Sequence, residues 1–468
     1  MKITFYGGAR SVTGANYLLE IGDTKLLVDC GMFQGSKYSE DLNYEKFPYD
    51  PAGVDFVFIT HSHTDHAGRL PKLYREGFRG KIVATNATLD LIRKALPDNL
   101  NLIKQEAEET GHEPLFSLED LEGVMGLAQG VNYEENIELD DGLGVKLHDA
   151  GHILGSSIVE IQFPNKSQIS NLKSQTEKIY FIGDLGNPPT PLLKAPYYPS
   201  DANYVVIESA YGSRTHEDKA ERKNILQKII IETIQRGGVL MIPSFAMERT
   251  QELLYELNGL FNSGKIPIVP VFVDSPLAAN LTEVYRKHSD YFNKEAMYII
   301  ESGDDIFNFP GLKFTRTAEE SKQINDVPSP KIIIAGSGMS TGGRILHHER
   351  RYLSDSNSTI LFIGYQVKGS LGRRILDEEK EVKIFGEKII VNCKVEAIGG
   401  YSAHADSEGL LKWVKAANGE GKLKKVFIVQ GEEESSLALA RKIERALEID
   451  TIVPNQGEGF ELQSETIK

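Results

Sequence analysis

The stretch HSHTDHAG, residues 61–68, sets His61, His63, Asp65 and His66 within six positions. Imidazole and carboxylate are the donor types that hold zinc, and manganese or iron would also accept them. His61 and His63 alternate, so their side chains can converge on one ion, while Asp65 and His66 turn toward a second. Two adjacent divalent cations are a device for in-line displacement at phosphorus, activating water and neutralising developing charge. Ligands for such a site should come from the ends of several strands. His152 in DAGHILGS, Asp184 in FIGDLG and His404 in GGYSAHAD all follow apolar segments and are flanked by small residues. That makes five histidines and two aspartates. Any one of these histidines alone reads better as a hydrogen-bonded loop residue. H-x-H-x-D-H together with AGH, GD and SAH reads as metal.

Other residues carry chemistry near this set. Glu208 in VVIESAYG ends a strand and can assist a departing oxygen as general acid, or simply cap the following turn. AGSGMSTGGR (335–344) is a Gly-rich turn between a strand and a helix, suited to cradle phosphate on backbone N–H groups. Its expected contacts are Ser337, Gly338, Thr341 and Gly342, with Ser275 of DSPLA lining the same groove. Arg249 and Arg344 are candidate backbone contacts that could equally pair with carboxylates.

The elements that position these residues follow from periodicity. MKITFYG, NYLLEIG, TKLLVDCG and VDFVFITHSH read as short strands joined by Gly- and Asp-bearing turns, a mixed sheet. VDFVFIT delivers His61 at its carboxyl end, and AGRLPKLYREGF behind it reads as a helix. Strands follow at KIVATN, GVKLHDA, SSIVEIQF, KIYFIGD and YVVIES. The polar segment at 164–178 reads as an exposed hairpin insertion without chemistry of its own. From about residue 213 the pattern changes to strands separated by helices, which implies parallel crossovers in a doubly wound α/β domain. Hairpin character returns after 374. The expected organisation is therefore a first domain over 1–212, an inserted domain over 213–374 and a return segment over 375–468. An insertion entering and leaving beside the ligand loops should overhang the metals and form a cleft, which admits a single strand better than a duplex.

Composition bounds these readings. The 468 residues are 40% hydrophobic and 25% charged, with mean hydropathy −0.28, ordinary for a globular protein. No apolar run is long enough to span a bilayer, and MKITFYGGARSVTG lacks the pattern of a signal peptide. Two cysteines, Cys30 and Cys393, do not support a disulfide framework and suit a reducing cytoplasm. A net charge of −15 argues against a general nucleic-acid coat protein. It leaves room for an enzyme acting at one locally positive site, because bound cations are absent from that sum.

HSHTDHAG, DAGHILGS and FIGDLG resemble the metallo-β-lactamase fold. ESAYG, SGMSTGGR and YSAHAD resemble its β-CASP nucleic-acid-processing branch. The likeness runs over nearly the whole chain and points to the bacterial and archaeal relatives of the eukaryotic pre-mRNA 3′-end-processing endonuclease subunit. The resemblance implies an αββα sandwich carrying an inserted β-CASP domain. It also implies two zinc ions, one held by His61, His63 and His152, the other by Asp65, His66 and His404. Asp184 would bridge them with a water or hydroxide, and Asp29 in LLVDCG would order the ligand loop. Diiron relatives carry H-x-E-x-D-H, and His63 in place of that glutamate favours zinc. A leaving-group histidine of the eukaryotic enzyme has Arg374 of GSLGRRIL at its place, with His347 and His348 as substitutes. Gln430 stands where many relatives have histidine.

The expected function is a zinc-dependent ribonuclease that cuts single-stranded RNA, internally rather than from an end. The competing readings are a DNA nuclease of the same family, a metallohydrolase of carboxylic esters, lactams or thioesters, and a scaffold that has lost its ligands. By resemblance the partners are RNA and a second copy of the chain through its C-terminal region, with no membrane.

Overall fold

The computed structural model describes residues 1–35, 37–164, 176–216 and 221–462. The chain divides into two units. The first comprises Met1–Thr190, Lys194–Thr215 and Ala403–Lys468, and the second Pro191–Leu193 and His216–Ser402.

Among the described residues, the first unit has two seven-stranded sheets. One runs in the order Glu458–Glu461, Lys2–Gly7, Asn16–Ile21, Thr24–Val28, Phe56–Phe58, Lys81–Thr85, Ala128–Val131. The other runs Asp450–Ile452, Lys425–Val429, Tyr204–Glu208, Thr176–Phe181, Ser157–Pro164, Gly144–Asp149, Ile137–Glu138. Their strands read as near-continuous apolar runs because both faces of each sheet are covered. In Thr24–Val28, Leu26 and Val28 enter the core between the sheets and Leu27 faces the opposite side. In Lys425–Val429, Phe427 and Val429 point inward while Val426 and Ile428 point outward. Helices Ser407–Ala417 and Glu433–Leu447 lay Leu410, Trp413, Val414, Leu439 and Ile443 on the outer face of the second sheet. Leu70, Leu73, Leu89 and Ile92 cover the first sheet from its own helices. The layering is αββα. Each fully buried Leu, Ile or Phe contributes about 1.5–3 kcal/mol to holding it.

This packing leaves the carboxyl ends of Thr24–Val28, Phe56–Phe58, Gly144–Asp149, Thr176–Phe181 and Tyr204–Glu208 supporting the loops that bear the candidate ligands. The polar segment read as a hairpin insertion lies outside the described residues over 165–175. Its flanks, Pro164 and Thr176, are cross-strand partners.

The second unit is built on a sheet ordered Leu312–Phe314, Val271–Asp274, Lys331–Ala335, Val239–Pro243, Thr359–Phe362, Lys394–Ala397, with every pairing parallel. Intervening helices such as Arg222–Gln235 and Arg249–Asn262 make it the doubly wound α/β arrangement that the sequence pattern implies. The unit runs on to Ser402, past the boundary drawn at 374 from the return of hairpin pattern. The hairpin Glu381–Ile384/Glu387–Ile390 is there, but Val382, Ile384, Val391 and Cys393 join this unit's core, and Lys394–Ala397 extends its sheet. A local pattern shows a strand and not which sheet it joins.

Cys30 and Cys393 are free and buried, and burial pushes each thiol up to about 12. Both act as small hydrophobes. Among the described residues, no helix is long and apolar enough to cross a membrane.

Candidate metal centre

Strand Phe56–Phe58 runs out through Ile59 and Thr60 into His61, and the short helix Thr64–Ala67 begins with His63 at its N-cap. Asp29, fully buried just past strand Thr24–Val28, ties this loop down. Its Oδ1 accepts from the Thr60 N–H at 2.8 Å, and its Oδ2 accepts from Thr60 Oγ1 at 2.8 Å and bonds His66 Nδ1 at 2.7 Å. That fixes the His66 ring with Nε2 turned toward Asp65 and Asp184. Gly31 lets the loops approach: a Cβ there would lie 1.5 Å from the Asp65 carbonyl oxygen. Gly186 does the same on the opposite side, where a Cβ would lie 2.0 Å from the Gly151 carbonyl oxygen. Ser156 Oγ accepts from the His152 and Ile153 N–H groups at 3.0 and 3.2 Å, shaping the turn that aims His152.

The donor atoms converge. His61 Nε2 lies 3.0 Å from His63 Nδ1, and His152 Nε2 lies 3.4 Å from that same nitrogen. Asp184 Oδ2 is 3.3 Å from both His61 Nε2 and His152 Nε2. Such separations match the edge of a tetrahedron of donors each about 2.1 Å from a central zinc, about 3.4 Å. The other carboxylate oxygen, Asp184 Oδ1, lies 3.3 Å from His66 Nε2, so one side chain serves both halves. His66 Nε2 is 3.8 Å from Asp65 Oδ2, and His404 Nδ1 is 3.8 Å from Asp184 Oδ2. His404 Nδ1 also lies 3.0 Å from Glu208 Oε2, and Glu208 Oε1 accepts from the Leu185 N–H at 2.7 Å. Asp184, Glu208 and His404 thus form a second donor group within 4.8 Å.

Electrostatics favour cations here. Asp184 and Glu208 are 4% and 0% exposed, and among the described residues their basic partners are histidines, with no Lys or Arg. Burial and neighbouring imidazoles hold His61, His63 and His152 below the usual histidine range, hence neutral and ready to coordinate. Burial opposes charge on His66 and His404 as well, but the carboxylates outweigh it. Asp184, Asp29 and Asp65 hold His66 well above its ordinary value, and Glu208 and Asp184 raise His404 to about 9. Burial pushes the Asp65 and Glu208 carboxyls up, whereas the His66, His404 and His61 imidazoles overcome burial and hold Asp184 well below the usual range. The residues fit a dinuclear metal centre.

In the second unit the Gly-rich turn is closed on itself. Ser337 Oγ accepts from the Thr341 and Gly342 N–H groups at 2.9 and 3.2 Å, so the donors expected to cradle phosphate are already engaged. Gly338 abuts the Phe245 ring, and open space lies over Gly342. Ser275 caps helix Pro276–Lys287 by accepting from the Ala278 N–H at 3.2 Å. Arg344 donates to Asp274 Oδ1 at 2.8 Å and to the Arg316 carbonyl at 3.0 Å. Arg374 is paired with Glu379 through two bonds, at 2.7 and 2.5 Å. His348 Nε2 bonds Asp274 at 2.7 Å, His347 packs at a tilt against the Phe385 ring, and Arg249 pairs with Glu252.

Residues 12–153 match the metallo-β-lactamase superfamily, 250–375 the Beta-Casp domain, and 388–454 the Zn-dependent metallo-hydrolase RNA specificity domain. Ribonuclease TTHA0252 of Thermus thermophilus is 38% identical over 94% of this chain and 95% of its own length. The chain belongs to the β-CASP family of the metallo-β-lactamase superfamily. An RNase J-like protein of Methanocaldococcus jannaschii is 32% identical over 97% of this chain and 98% of its own length. Transcription termination factor FttA of Methanosarcina mazei is 29% identical over 96% of this chain and 70% of its own length. A crystal structure of a protein of unknown function from Enterococcus faecalis covers 98% of this chain and 99% of its own with TM-score 0.54 at 12% identity, a likeness of fold alone.

This β-CASP protein is thus a metal-dependent hydrolase with the αββα sandwich and inserted α/β domain expected from its motifs. Gln430 acquires a structural place that its sequence position did not explain. It sits at φ 46° with its N–H on the Gly8 carbonyl, and its carboxamide nitrogen lies 2.7 Å from His66 Nε2. Sequence reasoning missed Asp274, which stands in DSPLA one residue before the serine it singled out. A carboxylate at a parallel strand's carboxyl end was the available signal.

Proposed function

We propose that this protein is a ribonuclease that hydrolyses phosphodiester bonds of single-stranded RNA at a dinuclear zinc centre and cuts within the strand. The observation that carries the reading is the sharing of Asp184, whose Oδ2 faces His61 and His152 and whose Oδ1 faces His66. The ribonuclease and RNase J-like relatives support RNA as the substrate, and the imidazole-rich donor set supports zinc.

When bound, the cation pair supplies Lewis acidity, making water a nucleophile near neutral pH and offsetting charge that develops at phosphorus. His61, His63 and His152 would hold one ion, Asp65, His66 and His404 the other, and Asp184 would join them. Asp29 orients His66 through Nδ1, so the ring presents Nε2. Glu208 accepts from His404 Nδ1 and the Leu185 N–H, which keeps both the His404 ring and the Asp184 loop in place. Buried free thiols at Cys30 and Cys393 fit the reducing cytoplasm in which we place the enzyme.

The test is product length. Zinc-loaded protein is incubated with end-labelled single-stranded RNA beside a His63→Ala control, and products are resolved on a denaturing gel. Internal fragments that vanish in the variant are expected. A ladder of mononucleotides would replace internal cutting by end-wise cutting. Cleavage of DNA alone, or of neither nucleic acid by a zinc-loaded protein, would overturn the ribonuclease reading.

A further inference from the structure

A groove of about 490 Å³ lies in the second unit between helices Ala318–Gln323 and Ile345–Tyr352. Its lining carries the cations Lys322, Arg344, Arg350 and Arg351 beside His347 and His348, with no Asp or Glu among the described residues that line it. Acidic residues outnumber basic ones 67 to 52 in this chain, so a lining with four cations and no carboxylate stands out against the general charge. Arg344, His347, His348 and Arg351 are spaced i, i+3, i+4 and i+7, which sets them on one face along a row of about 10 Å.

The groove has a fixed floor and an open rim. Beneath it the fully buried Asp274 accepts from Arg344 at 2.8 Å, His348 at 2.7 Å, Thr315 Oγ1 at 2.6 Å and Ser321 Oγ at 2.6 Å. That network holds the Arg344 and His348 side chains at set positions and offsets part of the Arg344 charge. On the rim, Lys322 and Arg351 are exposed and in no ion pair among the described residues. Arg350, also exposed, is paired with Glu387 at 2.8 Å.

We infer that this groove is a second phosphate-binding surface that takes the backbone of a single-stranded RNA. The inference rests on the ribonuclease reading above. A single exposed cation holds a phosphate only weakly, so several must act at once, which a polyanion allows and a lone phosphate does not. A row of about 10 Å lets separate cations meet successive phosphates of one strand. The lining offers no aromatic side chain besides its histidines, so a free nucleotide would find little to grip its base.

The experiment compares the full-length, metal-loaded protein with a Lys322→Ala/Arg351→Ala double variant. Affinity for a cleavage-resistant phosphorothioate RNA strand is measured across a range of potassium chloride concentrations. Losing two backbone contacts should weaken binding roughly tenfold at moderate salt and flatten the log–log salt slope by about 1.4. Hydrolysis of bis(p-nitrophenyl) phosphate, which is too small to need the groove, should be unchanged and reports an intact metal centre. Unchanged affinity and slope in a variant whose parent binds RNA overturns the groove and leaves the ribonuclease reading intact. A parent that binds no RNA removes that reading itself. Competition by inorganic phosphate or a mononucleotide as strong as by the strand overturns the polyanion assignment in favour of a small-anion site.

Discussion

Asp29 shows how much of this site rests on a residue that holds no substrate. It anchors Thr60 at two atoms and His66 at one, and each bond is buried. Asp29→Asn keeps the volume but removes the negative acceptor behind His66, so metal affinity at that half should fall about 10–100-fold. Competition against a chromogenic chelator measures it, and an unchanged second-ion affinity would contradict the assigned role. The convergence of these donors was readable because seven of them sit at the ends of apolar strands, a density that chance placement seldom gives. The partners of the residues expected to contact phosphate were less readable. Whether Ser337 offers its hydroxyl outward or turns it onto Thr341 and Gly342, and whether Arg374 is taken by Glu379, depends on partners that residue type does not reveal. Glu349 gives a pH test away from the metal. Burial pushes its carboxyl up to about 8, partly offset by a hydrogen bond from Ser340, against about 4.5 when unfolded. The folded protein therefore holds a proton that the unfolded chain releases between those values, and stability falls as pH rises, by up to about 1.4 kcal/mol per unit. Glu349→Gln should flatten this slope and be the more stable form at pH above about 8, by a few kcal/mol. Denaturant midpoints from acid to mildly alkaline pH check it, and parallel curves would count against it.

Elements position the ligands through close backbone approach as much as through packing. Gly31 follows strand Thr24–Val28 and lies against Asp65, where any Cβ collides with backbone rather than a flexible side chain. Gly31→Ala should displace the loop bearing Asp65 and His66, costing about 1–3 kcal/mol and reducing bound metal. Gly126→Ala is the matched control. It ends helix Leu118–Gly126 with open space around it, so it should be neutral or stabilise by up to about 1 kcal/mol. Thermal unfolding and metal content together read the difference, and equal behaviour would contradict the close-approach argument. The strands were legible because burial on both faces leaves continuous apolar runs, as in Lys331–Ala335 and Tyr204–Glu208. The point at which the chain re-enters the first unit was not. Lys394–Ala397 looks like part of a hairpin series, yet it pairs in parallel with Thr359–Phe362, a long-range choice that periodicity does not encode.

For the whole molecule, a net charge of −15 and a polyanionic substrate are reconciled by local charge. Divalent cations held by the carboxylate and histidine cluster would reverse the sign where a phosphate docks, which would link fold and chemistry. Buried Asp184 and Glu208 need cationic partners, so metal should stabilise the folded state as well as activate it. The most direct measurement is a titration of metal-stripped protein with zinc, following RNA cleavage and bound zinc together. Cleavage should stay near background through the first equivalent, rise with the second and plateau at two per chain. The same protein with His404→Ala should retain less metal and fail to cleave. Full activity at one equivalent, or cleavage by the stripped protein, would contradict the two-metal account.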